Sequence, residues 1–266
     1  MAAQPVVATI NYVASGPERP YYYANAHHDD RVPLNPQPMP LTDGRAQPGL
    51  LDREGFALVP HVSAVEDFTD AAQVAAIHSA EIVALLLAQT GADQVIVTSP
   101  GIVRFSEASG RAGSRDNSHP ARFVHVDATA QTSAGFAARS CPEGKVAARY
   151  AHYNVWRTFS GPPQDVPLAV CDARSVGPDD LIVADAIFDP PGGPEWRFDS
   201  WVMTANPAHR WVWFPDMTRD EALIFKSSDS VRGNPAPHVA FDNPLAPAGC
   251  TPRASLEMRA VAFWFA

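Results

Sequence analysis

His125 and Asp127 stand one residue apart in the run ARFVHVDATA at positions 121–130. On an extended strand successive side chains alternate between faces, so these two point the same way. One imidazole and one carboxylate on a shared face are two ligands for a single metal. A further histidine would complete the 2-His-1-carboxylate set of non-heme iron(II) centres, which leaves three coordination positions open. Taken alone the pattern is cheap, and its plain alternative is a surface pair on an ordinary strand. The chain must supply a third ligand and a frame that brings it near.

Two histidines lie downstream on predicted strands, His209 and His238. In a double-stranded β-helix barrel the third ligand sits on the next-to-last barrel strand, and an arginine on the last strand takes the distal carboxylate of 2-oxoglutarate. His238 is followed by a proline-rich loop and then by Arg253-Ala-Ser255, which opens the final strand. Arg253 and Ser255 share a face and offer a forked guanidinium and a hydroxyl to one carboxylate. His238 is therefore favoured, with His209 as the alternative third ligand. Otherwise His209 is a core histidine near the pocket. Arg259, six residues past Arg253, points the same way and either shares the co-substrate carboxylate or pairs with Glu257. Lys226 is a further strand cation, read as meeting an acid or forming a rim salt bridge. Asp172 and Arg174 read as a structural ion pair. The run His27-His28-Asp29-Asp30 is a poor cage, because adjacent strand residues face opposite ways, and reads as a surface turn.

The elements that must hold these residues are short. From Tyr150 onward apolar runs near 153–157, 167–172, 181–183, 200–203, 209–214, 221–226, 238–241 and 255–265 alternate with Pro, Gly, Asn and Asp turns, the pattern of a sandwich or barrel. All six tryptophans lie in this part. A strand at 55–60 precedes a helix capped at Thr69, with Asp70 behind it, which runs to about Gln89 and stops at Gly91. His78 sits near its apolar stripe and reads as a packing histidine. Gln94 opens the next strand, and a short helix is expected around 134–138. Residues 105–120 form a polar, glycine-rich loop leading to the His-x-Asp strand. Over 266 residues this gives one domain: an extended N-terminal arm at 1–50, a strand-helix-strand flank at 51–98, and a catalytic core at 117–266.

Composition removes whole classes of partner. A net charge of −9 and a pI near 5.4 argue against nucleic acid and anionic membranes. Three cysteines without metal-type spacing read as a reduced chain and a cytoplasmic location. The N-terminus has no secretory pattern, and no window is expected to approach ~20 uncharged apolar residues. A homodimer is the expected assembly at most.

Several blocks together carry a resemblance: YNVWRTFSGP at 153–162, PLAVCDARSV at 167–176 with Asp180 and Leu181, HRWVWFPDM at 209–217, EALIFKSSD at 221–229, PHVAFDNP at 237–244 and PRASLEMR at 252–259. In this order, from about Gly55 to the C-terminus, the chain resembles the CmcJ/NvfI oxidoreductase family, whose members include asaB-type hydroxylases and desaturases of secondary metabolism. The resemblance implies a mainly β fold with flanking helices, a jelly-roll, cupin-like barrel. It implies iron(II), 2-oxoglutarate as co-substrate, dioxygen and a small organic substrate. Two departures stand out: Ala128 where an aromatic is expected, and the Ser/Gly/Arg-rich loop before His125. Asn154, Trp156, Arg157, His209 and Trp211 are the candidates for lining the substrate pocket. Competing readings are an iron(II) oxidase that uses Arg253 for a substrate carboxylate without consuming 2-oxoglutarate, a non-catalytic jelly-roll binding protein, and, last, a zinc hydrolase on the same ligands.

Overall fold

The computed structural model describes residues 5–266. In chain order the elements are β1 (Val6–Val13), β2 (Tyr21–Tyr23), β3 (Leu34–Asp43), β4 (Phe56–Pro60), helix α1 (Ala71–Thr90), β5 (Gln94–Val97), β6 (Ile102–Phe105), β7 (His125–Val126) and helix α2 (Ala130–Ser140). There follow β8 (Ala147–Thr158), β9 (Leu168–Cys171), β10 (Leu181–Phe188), β11 (Trp196–Met203), β12 (Trp211–Trp213), β13 (Glu221–Asp229), β14 (His238–Ala240) and β15 (Ala254–Phe265). The strands form a nine-stranded sheet, β1-β3-β12-β9-β14-β7-β11-β10-β2, and a six-stranded sheet, β4-β13-β8-β15-β5 with β6 also on β15. Packed face to face, they make the jelly-roll barrel.

Strand alternation decides what enters the barrel. On β9, Leu168 and Val170 face inward with Trp156, Phe214 and Phe225. Ala169 and Cys171 face the opposite layer with Tyr12, Leu41 and Trp211. On β15, Leu256, Met258, Ala260 and Ala262 pack with Val74, Ile82 and Leu86 of α1. The other parity, Arg253, Ser255, Glu257 and Arg259, is thereby directed into the barrel. A polar row inside an apolar shell is the mark of a site.

Helix α1 is capped by Asp70, whose carboxylate accepts from the N–H groups of Ala72 and Gln73, rather than by Thr69. Thr69 instead donates its own N–H to Asp67. Gly91 at φ 63° ends the helix in the left-handed region that glycine adopts without strain. Helix α1 carries Glu81 and several polar residues, yet it is long and apolar enough by length and composition alone to cross a membrane. In the fold one face lies on the six-stranded sheet.

His78 on α1 is buried at 1% exposure and donates to Glu81 at 2.7 Å, a packing histidine. Burial pushes its pKa down to about 4. The folded value lies below the unfolded one, so the native state resists a proton that the unfolded chain accepts. Stability should therefore fall as pH drops from about 6.5 to 4, by at most roughly 3 kcal/mol from this group. Denaturant midpoints at pH 7 and 4.5 for wild type and His78→Leu test this: the variant should lose less between the two.

Two segments differ from the sequence reading. The N-terminal region expected as an arm supplies β1 and β3, paired over eight residues, and β2, which joins β10. Its prolines hid this. Pro36, Pro38 and Pro40 occupy one parity of β3, so the N–H groups they lack all face away from β1 and the ladder survives. The short helix expected at 134–138 is the eleven-residue α2, capped by the Thr129 hydroxyl.

Candidate metal centre

Strand β7 lies between β11 and β14, and His125 is the direct cross-strand partner of His238. Directly opposed residues of antiparallel strands share a face, and the two rings stand 4.3 Å apart. Asp127, two residues past His125, points to the same side. One ligand atom from each of His125, Asp127 and His238 lies within 4.8 Å of the others, and all three residues are buried.

The hydrogen bonds leave the correct atoms free. His125 donates Nδ1–H to the Phe123 carbonyl at 3.0 Å, and His238 donates Nδ1–H to the Ala236 carbonyl at 3.4 Å. In each ring this places the lone pair on Nε2, the tautomer that a metal requires. His238 Nε2 is buried without any partner. An unpartnered buried nitrogen facing a carboxylate and a second imidazole is what a divalent cation would satisfy. Burial, with His238 nearby, pushes the His125 pKa down to about 3, and burial pushes His238 down to about 4. Both are neutral ligands at physiological pH. Burial alone would raise the Asp127 carboxyl, but Arg259, the two imidazoles and Asn154 hold it well below the carboxylate range.

Asp127 is fixed from the opposite sheet. One carboxylate oxygen accepts from Asn154 on β8 at 2.6 Å and from Ser227 on β13 at 3.3 Å. The other accepts from Arg259 on β15 at 2.7 Å. The single Ser227 hydroxyl proton is shared between Asp127 and the Asn154 side-chain carbonyl, which is nearer at 2.9 Å, and Arg259 donates to Glu257 at 2.8 Å. Asn154 and Arg259 are cross-strand partners, so β8 and β15 present them together. Replacing Asn154 by Ala should weaken iron(II) affinity about 10–100-fold with the fold retained. An anaerobic chelator competition measures this, and an unchanged affinity would contradict the bracing role.

Arg253 and Ser255 lie deeper on the inward face of β15, both 1% exposed. The Arg253 guanidinium sits 5.9 Å from the Trp156 ring, and its Nε and one Nη are buried with no acceptor. Burial, with Arg104 nearby, pushes its pKa down to about 9. A buried, underused fork of donors is prepared for an anion that the protein itself does not provide.

The other sequence candidates separate cleanly. His209 is not near this group. Its Nε2 bonds Asp180 at 3.0 Å, and its Nδ1 meets the Tyr12 hydroxyl at 3.1 Å, so both nitrogens are spent. Trp211 donates to the same Tyr12 hydroxyl at 2.7 Å, within the core behind the larger sheet. Neither lines the cavity described next. Arg157, between inward Trp156 and Thr158, has the wrong parity: it faces outward, bonded to His61 and the Arg219 carbonyl. Trp156 faces inward but lines the Arg253 side. Lys226 pairs with Asp229 at 3.3 Å and is buried. Asp172 and Arg174 form their ion pair at 2.8 Å, and 27–29 is a single helical turn. Asn154 alone among the pocket candidates stands beside the ligands. Ser227 and the direct Arg259–Asp127 contact were missed; the parity of EALIFKSSD could have found Ser227, since Phe225 and Ser227 face inward together.

Asp127 and Arg259 stand where two cavities meet. One, of about 400 Å³, is walled by Arg104, His119, Arg122 and His125. The other, of about 650 Å³, runs outward past Asn154 and Ser227 between β11, α2 and the 99–103 segment.

The family described as Oxidoreductase/YMDC permease-like domain matches residues 10–263. The hydroxylase/desaturase efuI of Hormonema carpetanum is 31% identical over 88% of this chain and 86% of its own length. The Fe(II)/2-oxoglutarate-dependent dioxygenase nvfI of Aspergillus novofumigatus is 31% identical over 73% of this chain and 69% of its own. The chain belongs to this oxidoreductase family. Two solved structures of the iron and alpha-ketoglutarate-dependent endoperoxidase NvfI, one of them a single-residue variant, agree with the fold. Their TM-scores are 0.85 and 0.84, at 24% and 25% identity, over 100% and 99% of both chains. The barrel is thus the fold of these solved structures, and the Arg-x-Ser on the last strand lies within the residues that the family matches.

Proposed function

We propose that the protein is an iron(II)- and 2-oxoglutarate-dependent oxygenase of the hydroxylase/desaturase type, acting on a small organic molecule. The observation that carries this is the convergence of two buried imidazoles and one braced carboxylate, in a barrel whose last strand also turns the buried, unsatisfied Arg253 inward. His125, Asp127 and His238 would hold the iron, and Arg253 with Ser255 would take the distal carboxylate of 2-oxoglutarate. When bound, iron(II) and 2-oxoglutarate supply dioxygen activation and the oxidising power to remove hydrogen from an unactivated C–H bond, with succinate and carbon dioxide as co-products.

The work of the chain is to place groups and exclude water. Phe123 and Ala236 carbonyls hold the two rings in the ligating tautomer. Asn154, Ser227 and Arg259 occupy the oxygens of Asp127, so the carboxylate cannot swing. Phe225, 4.4 Å from the His238 ring, and Trp156 keep the interior apolar. The test is stoichiometric. Protein, iron(II), 2-oxoglutarate and dioxygen should yield succinate even without substrate, slowly, and Asp127→Ala should yield none. Unconsumed 2-oxoglutarate with iron bound would move the reading to an iron enzyme that uses Arg253 for a substrate carboxylate.

A further inference from the structure

The wider cavity has two unlike walls, and together they describe what it takes. On one side β10 and β11 gather Phe188, Trp196 and Phe198 into a cluster. Phe188 stacks on Trp196 at 4.3 Å and 16°, and on Phe198 at 5.4 Å and 24°, and Trp196 meets Phe198 at 5.6 Å and 37°. Phe136 of α2 extends the cluster edge-on to Phe198 at 5.1 Å. All four rings line the cavity, and Trp196 remains 49% exposed. The facing wall is aliphatic, with Val74, Ile102 and Leu256. The three centroids lie within 5.6 Å of one another, so the rings pack as one aromatic cluster, and an aromatic wall favours apolar, ring-bearing ligands because contacts to aromatic rings add to simple burial.

A positive charge stands at the edge of the aromatic cluster. Arg139, one turn of α2 after Phe136, holds its guanidinium 4.9 Å from the centre of that ring and lines the same cavity. Among the described residues it has no carboxylate partner. Of the other charges of the lining, Arg259 is paired with Asp127 and Glu257, Asp116 is held by Asn25, and Arg115 is turned to the Thr69 carbonyl. In a chain of net charge −9, a cation without a carboxylate partner beside the aromatic cluster selects for an anion.

We infer that the substrate is an apolar, ring-bearing molecule with an acid group, its rings against the Phe188–Trp196–Phe198 cluster and the acid at Arg139. This rests on the reading of the cavity beside Asp127 as the substrate site. A volume of about 650 Å³ suits a molecule of several fused or linked rings. Seated so, its ring system passes over Asn154 and Ser227, and its far end reaches Asp127.

The test uses two fluorescent probes, 1-pyrenebutyrate and 1-pyrenebutanol, equal in rings and unlike in charge. Wild type should bind the acid about fivefold more tightly than the alcohol, the order expected for a solvent-accessible ion pair. Raising the salt to 0.5 M should shrink that preference. Arg139→Gln should bring the two probes within twofold of each other, while Arg115→Gln keeps the preference. Trp196→Ser should weaken both probes at least tenfold with their ratio unchanged. Equal binding of the two probes to wild type overturns the inference, as does a preference that survives Arg139→Gln or disappears in Arg115→Gln. The titrations need no iron, so their failure and the failure of the iron reading are separate results.

Discussion

Asp127→Ala should cost at least a thousandfold in iron(II) affinity and abolish succinate formation, while His209→Ala leaves both intact. Asp127 is the sole anionic ligand of the group, and every brace around it is organised on its two oxygens. Loss of residues that merely support a ligand weakens metal binding 10–100-fold; loss of the charged ligand itself must exceed that. The variant should still fold, because Arg259 keeps Glu257 and Asn154 keeps Ser227. His209→Ala has a different signature. It strips a buried network, Asp180–His209–Tyr12–Trp211, and should destabilise the protein by about 1–3 kcal/mol with iron affinity unchanged. Anaerobic iron titration beside a denaturant melt separates the two. An intact iron site in Asp127→Ala would remove this residue from the ligand set.

Arg253→Met should raise the KM for 2-oxoglutarate by about a hundredfold and at the same time stabilise the fold. The two effects have one cause. Arg253 is 1% exposed, carries two buried nitrogens without acceptors, and is held at a pKa of about 9. A cation in that state carries a desolvation penalty that the nearby Glu107 and Asp165 carboxylates offset only in part and that a directly bound anion would offset further. A charge-assisted fork to a carboxylate in a dry site is worth about 3 kcal/mol, or roughly a hundredfold. Methionine fills similar space without the charge, so the unliganded variant should gain about 1–2 kcal/mol. The check is a melt without co-substrate together with succinate kinetics at varied 2-oxoglutarate. A destabilised variant with normal KM would make Arg253 a structural cation instead.

Much of the site was legible because strand parity is a strong rule. Two residues apart on β7 gave His125 and Asp127, and an even step on β15 aligned Arg253, Ser255 and Arg259. Parity also corrects one reading: Arg157 follows inward Trp156 and so faces away, as its spacing already required. Pairing between distant strands is another matter. That His238 rather than His209 meets His125 depends on β14 lying beside β7, which single-strand patterns do not encode. His209 looks equivalent in sequence and is consumed by Asp180, a residue from the turn before β10. The Asn154–Ser227 brace joins β8 to β13 at a bulge, where Ser227 is passed over in the register, and single-strand patterns do not encode that either. In the N-terminal region local propensity misled, since the prolines of β3 suppress every strand signal except the alternation that makes them harmless. The aromatic cluster was invisible because β10 and β11 were expected only at 181–183 and 200–203, which leaves Phe188, Trp196 and Phe198 outside any element.

The most direct test of the iron account is the visible spectrum of anaerobic protein given iron(II) and then 2-oxoglutarate, with His238→Ala and His209→Ala alongside. The account predicts a weak charge-transfer band near ~500 nm, formed when a 2-oxo acid chelates an iron(II) site with open positions, present in wild type and His209→Ala and absent in His238→Ala. A band that survives in His238→Ala and is lost in His209→Ala, or iron that binds wild type with no band at all, would contradict it.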